Sequence, residues 1–295
     1  METIGAVILH YKKTEKTIAC VDSFLRLSPL PFSPHIVVVC NSGRDASDRA
    51  ITERFKEHPI VEVIQTKKPL VFSRAMNIGV KHLAKYNPRF VILSNNDITF
   101  DDQRLYKKIE EEYERSHFGA MGPDVHTVST DTHSSPFYIR YYLSAIENFK
   151  IVLLMYRSLL KREWKKEPKE EFVYNNKKYK ERAENVMLQG SFVILSKDYL
   201  KRFPLGLYPQ KSFFLEEDIL LFLCRKFNLK TVYNPEISVD HIHSVSINER
   251  FKDKQKKRKF VFRQTLKSRK TFLSLIIWFN LTGKIKFSAE KKKVM

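Results

Sequence analysis

The chain holds 295 residues, 43% hydrophobic and 29% charged, the balance of a globular protein that buries its own core, which excludes a disordered or membrane-spanning class. Its formal net charge of +20 calls for an anionic partner: nucleic acid, a phospholipid surface or a phosphorylated small molecule. Cys20, Cys40 and Cys224 are too few and too scattered for a disulfide framework, and no C-x-x-C pair offers a zinc site, so a reducing cytoplasm is expected.

The N-terminal apolar run, 4–9, is short and follows Glu2 instead of a basic segment, so no secretory leader is expected. Three β-type runs come next to one another in the first third, GAVIL at 5–9, HIVVV at 35–39 and FVILS at 90–94, with VEVIQ at 61–65 as a fourth. Helical patterns fill the gaps at 16–27, 49–58 and 74–86. Strands alternating with helices predict an α/β protein with a mostly parallel central sheet flanked by helices. Each run ends on polar residues: HYKKTE, CNSGRD and NNDITF. Ligands of open parallel sheets bind outside the carboxyl ends of the strands, so His10, Tyr11, Cys40, Asn41, Asn95, Asn96 and Asp97 are expected around one crevice.

Asp97, preceded by Asn95 and Asn96, offers a hard oxygen ligand in a mouth open to solvent. Mg²⁺ or Mn²⁺ is typically held by one or two protein carboxylates, with water and substrate phosphate completing the shell. An Asx turn closing a strand is the competing reading of the same stretch.

Further along, Tyr142, Ile146, Phe149, Leu153, Tyr156 and Leu160 recur at spacings of four and three, which predicts a helix with a continuous apolar stripe. Such a helix either packs on the core as an insertion or faces an acceptor or a membrane. The charged stretch KREWKKEPKEE, broken by Pro168, follows it. GSFVIL at 190–195 reads as another strand, and FFLEEDILLFLCRKF at 213–227 passes through three acids into a helix. Acids in a first turn complement the helix dipole, yet three together at a loop-to-helix junction exceed what capping needs.

Residues 251–270 carry ten Lys or Arg against one Asp, and TFLSLIIWFNLTGKIKF follows directly. A basic block leading into an apolar, Trp-bearing helix is the pattern of an element lying on anionic lipid. A solvated C-terminal helix pair is the alternative; nucleic acid is disfavoured because basic and apolar blocks are adjacent, not interleaved. The apolar run 272–279 falls short of the roughly 20 residues that span a bilayer.

The ordered set VILHYKK, IVVVCNSGRDAS, RAMNIGVKHL, VILSNNDITF, LQGSFVILSKDYL, FFLEEDILLFLCRKF and VDHIHSVS resembles glycosyltransferase family 2, inverting enzymes of the GT-A fold that include assemblers of bacterial cell-surface polysaccharides. The likeness covers about residues 3–246. It implies a catalytic domain over 1–245 with a helical insertion near 135–185, and a basic C-terminal extension over 246–295. By position, NNDI stands where the family has its D-x-D-type motif, so Asp97, with Asn95, would meet a divalent metal on the donor diphosphate. His241 matches the late histidine near that metal. EED stands at the catalytic acidic pair, making Asp218 the general base beside Glu217. Arg74 and Asn77 fall in the segment lining the donor nucleotide, and Gln189, Gly190, Glu216 and Arg225 are expected on the acceptor side.

Two departures from the family pattern bear on the donor. Cys40 stands where an Asp commonly holds the nucleobase, and Asn95 replaces the first acid of D-x-D. The resemblance then implies a UDP or dTDP sugar, Mn²⁺ or Mg²⁺, and a saccharide or lipid-linked acceptor at the cytoplasmic face of the membrane. The chemistry suits these residue types: a metal neutralises charge on the leaving diphosphate, and a carboxylate takes the acceptor's proton. His241 and His243 straddle one residue and share a side of an extended segment. Arg225, seven residues after Asp218, shares its helix face and offers an ion pair or an acceptor contact.

Rival classes fit less of the chain. A sugar-phosphate nucleotidyltransferase needs a glycine-rich loop after the first strand, and LHYKKTEK has no glycine. A glycoside hydrolase pairs carboxylates but needs neither a metal-phosphate loop nor so basic a chain. A non-catalytic membrane or nucleic-acid adaptor on the same fold accounts for the charge but leaves the acids at strand ends unexplained.

Overall fold

The computed structural model describes residues 1–136, 144–163, 178–242 and 253–285. In chain order the elements are β1 Glu2–His10, α1 Thr14–Leu25, β2 Phe32–Cys40, α2 Ala46–Phe55, β3 Val61–Gln65, α3 Phe72–Leu83, β4 Phe90–Asn95 and β5 Ile98–Thr99. There follow α4 Leu105–Ser116, β6 Phe118–Thr127, β7 Thr132–His133, α5 Ala145–Leu160, β8 Ala183–Glu184, β9 Phe192–Ser196 and α6 Lys197–Arg202. The chain closes with α7 Glu216–Lys226, β10 Lys230–His241 and α8 Lys254–Thr282.

The strands join in one mixed sheet in the order β3-β2-β1-β4-β9-β6-β10-β5, with β7 on β6 and β8 on β10. The first half is parallel, β3 to β4, and β9 runs antiparallel between β4 and β6. The β1, β2 and β4 runs are apolar throughout because both faces are covered. Ile4, Ala6 and Ile8 of β1 point to one layer with α1, α2 and α4. Val7 points to the other, with Val37, Val39, Val91 and Leu93, under α3, α6, α7 and α8. Gly79 lets α3 lie close on this face, since a Cβ there would sit 2.4 Å from Val7 Cγ1.

The two helical additions differ from their sequence reading in an instructive way. Helix α5 begins after Ser144, whose hydroxyl accepts from the Glu147 N–H at 3.1 Å. Its apolar stripe faces outward: Ile146, Phe149, Leu153 and Leu160 are exposed, while Asn148 and Val152 are buried. Packing on the core through that stripe is therefore ruled out, because the inward face meets the polar side of α8. Tyr142, Pro168 and the charged stretch from 164 onward lie outside the described residues.

Helix α8 is a single 29-residue element capped by Asp253, whose carboxylate accepts from Gln255 and Lys256 N–H groups. Its Phe272, Leu275 and Ile276 are buried in the second apolar layer. Phe272 and Phe279 stack edge-on against Phe222 of α7, with centroids 5.6 and 5.8 Å away. No helix among the described residues is long and apolar enough to cross a membrane.

Phe272→Ala is expected to cost about 3–5 kcal/mol of unfolding free energy, the usual range for emptying a buried aromatic site. Urea unfolding measures it; a change within about 0.5 kcal/mol, as at free surface positions, would mean that α8 is not part of the core.

Candidate active site

Strand register aligns the carboxyl ends of the parallel half: His10 lies opposite Cys40, Cys40 opposite Gln65, and Leu9 opposite Asn95. The loops leaving these ends share one rim, the place where open α/β sheets hold ligands. Beneath the rim, several of the expected donor residues are already engaged with protein. His10 is fully buried, its Nδ1 2.7 Å from Thr17 Oγ1 and its Nε2 3.1 Å from Ser47 Oγ. Burial keeps its imidazole below the usual range, against the pull of Asp48 and Asp45. Asn96 Nδ2 donates to Thr17 Oγ1 at 2.8 Å, extending this network under β4.

Asn41 is likewise structural in its contacts: Nδ2 donates to Leu70 O, and Oδ1 accepts from Leu70 N and Thr66 Oγ1. Asp48, also fully buried, accepts the N–H groups of Ser42 and Arg44 and shapes the turn after β2. His10, Cys40 and Asp48 cluster closely enough to ligate an ion. Their chemistry is poor for one, however, since burial pushes the Cys40 thiol up and the other two are hydrogen-bonded. Tyr11 remains half-buried at the rim, with Lys12 Nζ 5.3 Å from its ring centroid.

Asp97 and His241 are brought together although they lie far apart in sequence. Short strand β5 pairs antiparallel with the end of β10, His241 opposite Ile98, and Ile242 N donates to Asp97 O at 2.9 Å. The result sets His241 Nε2 3.3 Å from Asp97 Oδ1. That separation is near the edge of an octahedron with bonds of about 2.1 Å, so one carboxylate oxygen and one imidazole nitrogen fit neighbouring positions on a Mn²⁺ or Mg²⁺ ion. His243 lies outside the described residues.

The acids of α7 reach the same corner of the sheet through Gly190. Asn95 N donates to Ser191 O at 2.8 Å, which ties the Gln189–Gly190–Ser191 segment to the end of β4. A Cβ on Gly190 would fall 2.3 Å from Glu217 Oε1, so the carboxylate packs on a bare backbone. Gln189 folds back to accept from Ser191 N. Just before α7, Phe214 and Leu215 both adopt left-handed backbone, φ 77° and 72°, a conformation that costs L-residues roughly 1–2 kcal/mol each. Gln210 holds that turn by donating to Phe214 O. Arg74 and Asn77 of α3 anchor the loop behind it: Arg74 Nε donates to Gln210 O, and Asn77 brackets Leu207 through both backbone groups.

Electrostatically the junction is a store of disfavoured negative charge. Burial first, then Glu217 and Asp218, pushes the Glu216 carboxyl up to about 8; burial and Asp218 raise Glu217. Burial also raises Asp218, opposed by Arg269, whose Nη1 lies 3.2 Å from Asp218 Oδ1. Among the described residues the buried Glu216 Oε1, Ser191 Oγ and Gln210 Oε1 have no protein hydrogen-bond partner. The ion pair that the seven-residue spacing offered to Arg225 goes to Arg269. Arg225 is exposed and donates to Asn185 O at 2.7 Å. Arg269 escaped the sequence reading inside a run of cations, although it falls in helical step with Leu266, Phe272 and Ile276. A separate basic cleft of about 420 Å³, lined by Arg104, Lys107 and Lys108 with Glu111 and Glu236, shares no residue with this corner.

Comparisons with known proteins agree with this architecture. Residues 6–194, well over half of the chain, match the family model described as Glycosyl transferase family 2. A structure of S. aureus TarS 1-349 in complex with UDP-GlcNAc aligns with TM-score 0.52 and 11% identity over 82% of this chain and 59% of that one. TarS 1-349 without the sugar nucleotide gives 0.50 and 12% over 96% and 75%. GalNAc-T7 with UDP, GalNAc and Mn²⁺ gives 0.56 and 13% over 83% and 44%. The chain thus spans less than two thirds of the first and third of these structures, and at such identity the likeness is one of fold. No curated protein sequence matches the chain.

A carboxyl whose folded-state pKa is raised withdraws stability as pH climbs from its ordinary value through the raised one. Glu216→Gln removes that penalty. Its Tm is expected to equal the native chain's near pH 4.5 and to exceed it by several degrees above about pH 8. Equal Tm values across the whole range, followed by scanning calorimetry, would show that Glu216 ionises as freely as a surface acid.

Proposed function

The chain belongs to glycosyltransferase family 2 and is a glycosyltransferase built on a GT-A fold, and from that premise we propose that it transfers a sugar with inversion from a UDP or dTDP donor to a hydroxyl of a saccharide or lipid-linked acceptor. The observation that carries this reading is the shared corner. Asn95 N donates to Ser191 O at 2.8 Å, which links the strand end that leads into the Asp97–His241 pair to Gly190, on which Glu217 of the acidic head of α7 packs. Uridine nucleotides and Mn²⁺ in the neighbouring structures support the donor and the metal.

Asp97 and His241 would hold Mn²⁺ or Mg²⁺, which supplies Lewis-acid neutralisation of the charge building on the departing diphosphate. Asp218 accepts the proton of the acceptor hydroxyl as its oxygen bonds to the anomeric carbon and the diphosphate leaves from the opposite face. With no protein nucleophile in the sequence of events, one displacement inverts the anomeric centre. Asn95 and Tyr11 at the rim face the donor. His10, Asn41 and Asn96 act beneath it, fixing the loops that shape its seat. Cys40, buried and protonated, replaces an acid there, so recognition of the base falls to backbone groups of the loop after β2.

The catalytic unit spans about residues 1–245, and α8, the described helix of the basic extension 246–295, packs against α7 through Phe272 and Phe279. Nine Lys or Arg and no acid lie on α8. Ile277, Trp278 and Leu281 of α8 are exposed, as are the stripe residues of α5, and exposed apolar residues beside a basic run suit an element resting on anionic lipid. These features support a reading in which the enzyme works at the cytoplasmic face of a membrane on a lipid-linked acceptor of cell-surface polysaccharide assembly.

Diphosphate release from UDP-glucose, UDP-galactose, UDP-N-acetylglucosamine and dTDP-rhamnose, with and without Mn²⁺, tests the reading. At least one donor is expected to turn over with metal. Asp218→Asn is expected to keep donor affinity and lose about 10²–10⁴ in rate. Undiminished turnover in that variant would remove Asp218 from the chemistry.

A further inference from the structure

The C-terminal helix reaches further into the site than a covering element needs to. Arg269 is mostly buried, and its Nη1 contacts both Asp218 Oδ1 at 3.2 Å and Asn148 Oδ1 at 3.2 Å. Asn148 is fully buried on α5 and is itself held by donating from Nδ2 to Ser144 O. The register of α8 is set on both sides of this contact. Ser268 Oγ donates to Phe213 O and lies 2.7 Å from Ser212 Oγ, while Gln264 Oε1 accepts from Phe213 N. One turn further on, Phe272 is locked into the core. Three elements distant in sequence thus converge on one carboxylate.

We propose that Arg269 is a positioning residue for Asp218, so that seating of α8 against α5 and α7 supplies the acceptor side of the site with the cation that fixes its base. The proposal rests on Asp218 as general base. A carboxylate at the head of α7 beside Glu216 and Glu217 has like charges on its own helix. Among the described residues the cation set against it is Arg269, and Asn148 is the neutral group that aims that cation. A guanidinium is suited to the task because it stays charged and its planar fork binds two acceptors at a fixed angle. Loss of the cation leaves a buried carboxyl next to two others, which favours the protonated, inactive form.

The test is the pH profile of nucleoside diphosphate release, measured on full-length chain with Mn²⁺ and the donor of the panel that the native enzyme turns over fastest. Arg269→Gln is expected to move the acid limb upward by about one unit or more, a tenfold loss on that limb for each unit, with the donor KM little changed. Arg269→Lys is expected to restore most of the native profile. Asn148→Ala, which keeps the charge but removes its second anchor, is expected to shift the limb the same way by less. Should Arg269→Gln fail to fold, Asn148→Ala carries the test.

A native profile in Arg269→Gln, or in Asn148→Ala if that is the variant available, would overturn the proposal. So would a uniform loss at every pH that Arg269→Lys does not rescue. Asp218→Asn run in parallel separates the two layers. Full turnover there defeats the base assignment itself. Lost turnover there with an unshifted Arg269→Gln profile defeats only the role of Arg269.

Discussion

The site depends on the absence of one side chain. Gly190 lies where the segment entering β9 crosses the end of β4, and Glu217 rests its carboxylate on the bare Cα. Close approach of that kind is available only to glycine. Through it the head of α7 is drawn to the strand end that presents Asn95, Asn96 and Asp97. A Cβ there would push the Glu217 carboxylate, whose Oε1 would lie 2.3 Å from it, away from the segment tied to the end of β4.

Much else in the molecule supports this approach at a cost to stability. Two consecutive non-glycine residues, Phe214 and Leu215, take left-handed backbone to launch α7, strain of a sort that persists where surrounding structure over-determines it. Gln210, Arg74 and Asn77 provide that determination. Three acids then sit where burial works against their charge. Sites that hold charge ready for chemistry commonly show both features, perturbed carboxyls and polar atoms left without partners.

The sheet was legible because its strands are short apolar runs bounded by polar loops, a pattern that burial on both faces enforces. The runs at 5–9, 35–39, 61–65 and 90–94 all lie within strands, and the three helices between them begin two to three residues earlier than their apolar periodicity suggests. Capping and first-turn residues such as Asp45 explain the difference at α2, since polar caps carry no hydrophobic signal. The meeting of Asp97 with His241 was legible only through family resemblance, as it depends on a two-residue strand. Least legible were α5 and α8. An apolar stripe at helical spacing fits a core face or an outward one equally, and in α5 it points outward while Asn148 faces inward to Arg269. In α8 the polar residues Ser268 and Arg269 hold the register, hidden in a basic run whose composition suggested only a surface.

The most direct measurement of the account is the turnover of Gly190→Ala. The atom in the way is the far end of a flexible glutamate side chain, so the variant is expected to fold with near-native Tm while the displaced carboxylate lowers the rate by about 10²-fold, the scale of an ångström-level misplacement. Native turnover in a folded Gly190→Ala chain would contradict the claim that this notch brings the two halves of the site together.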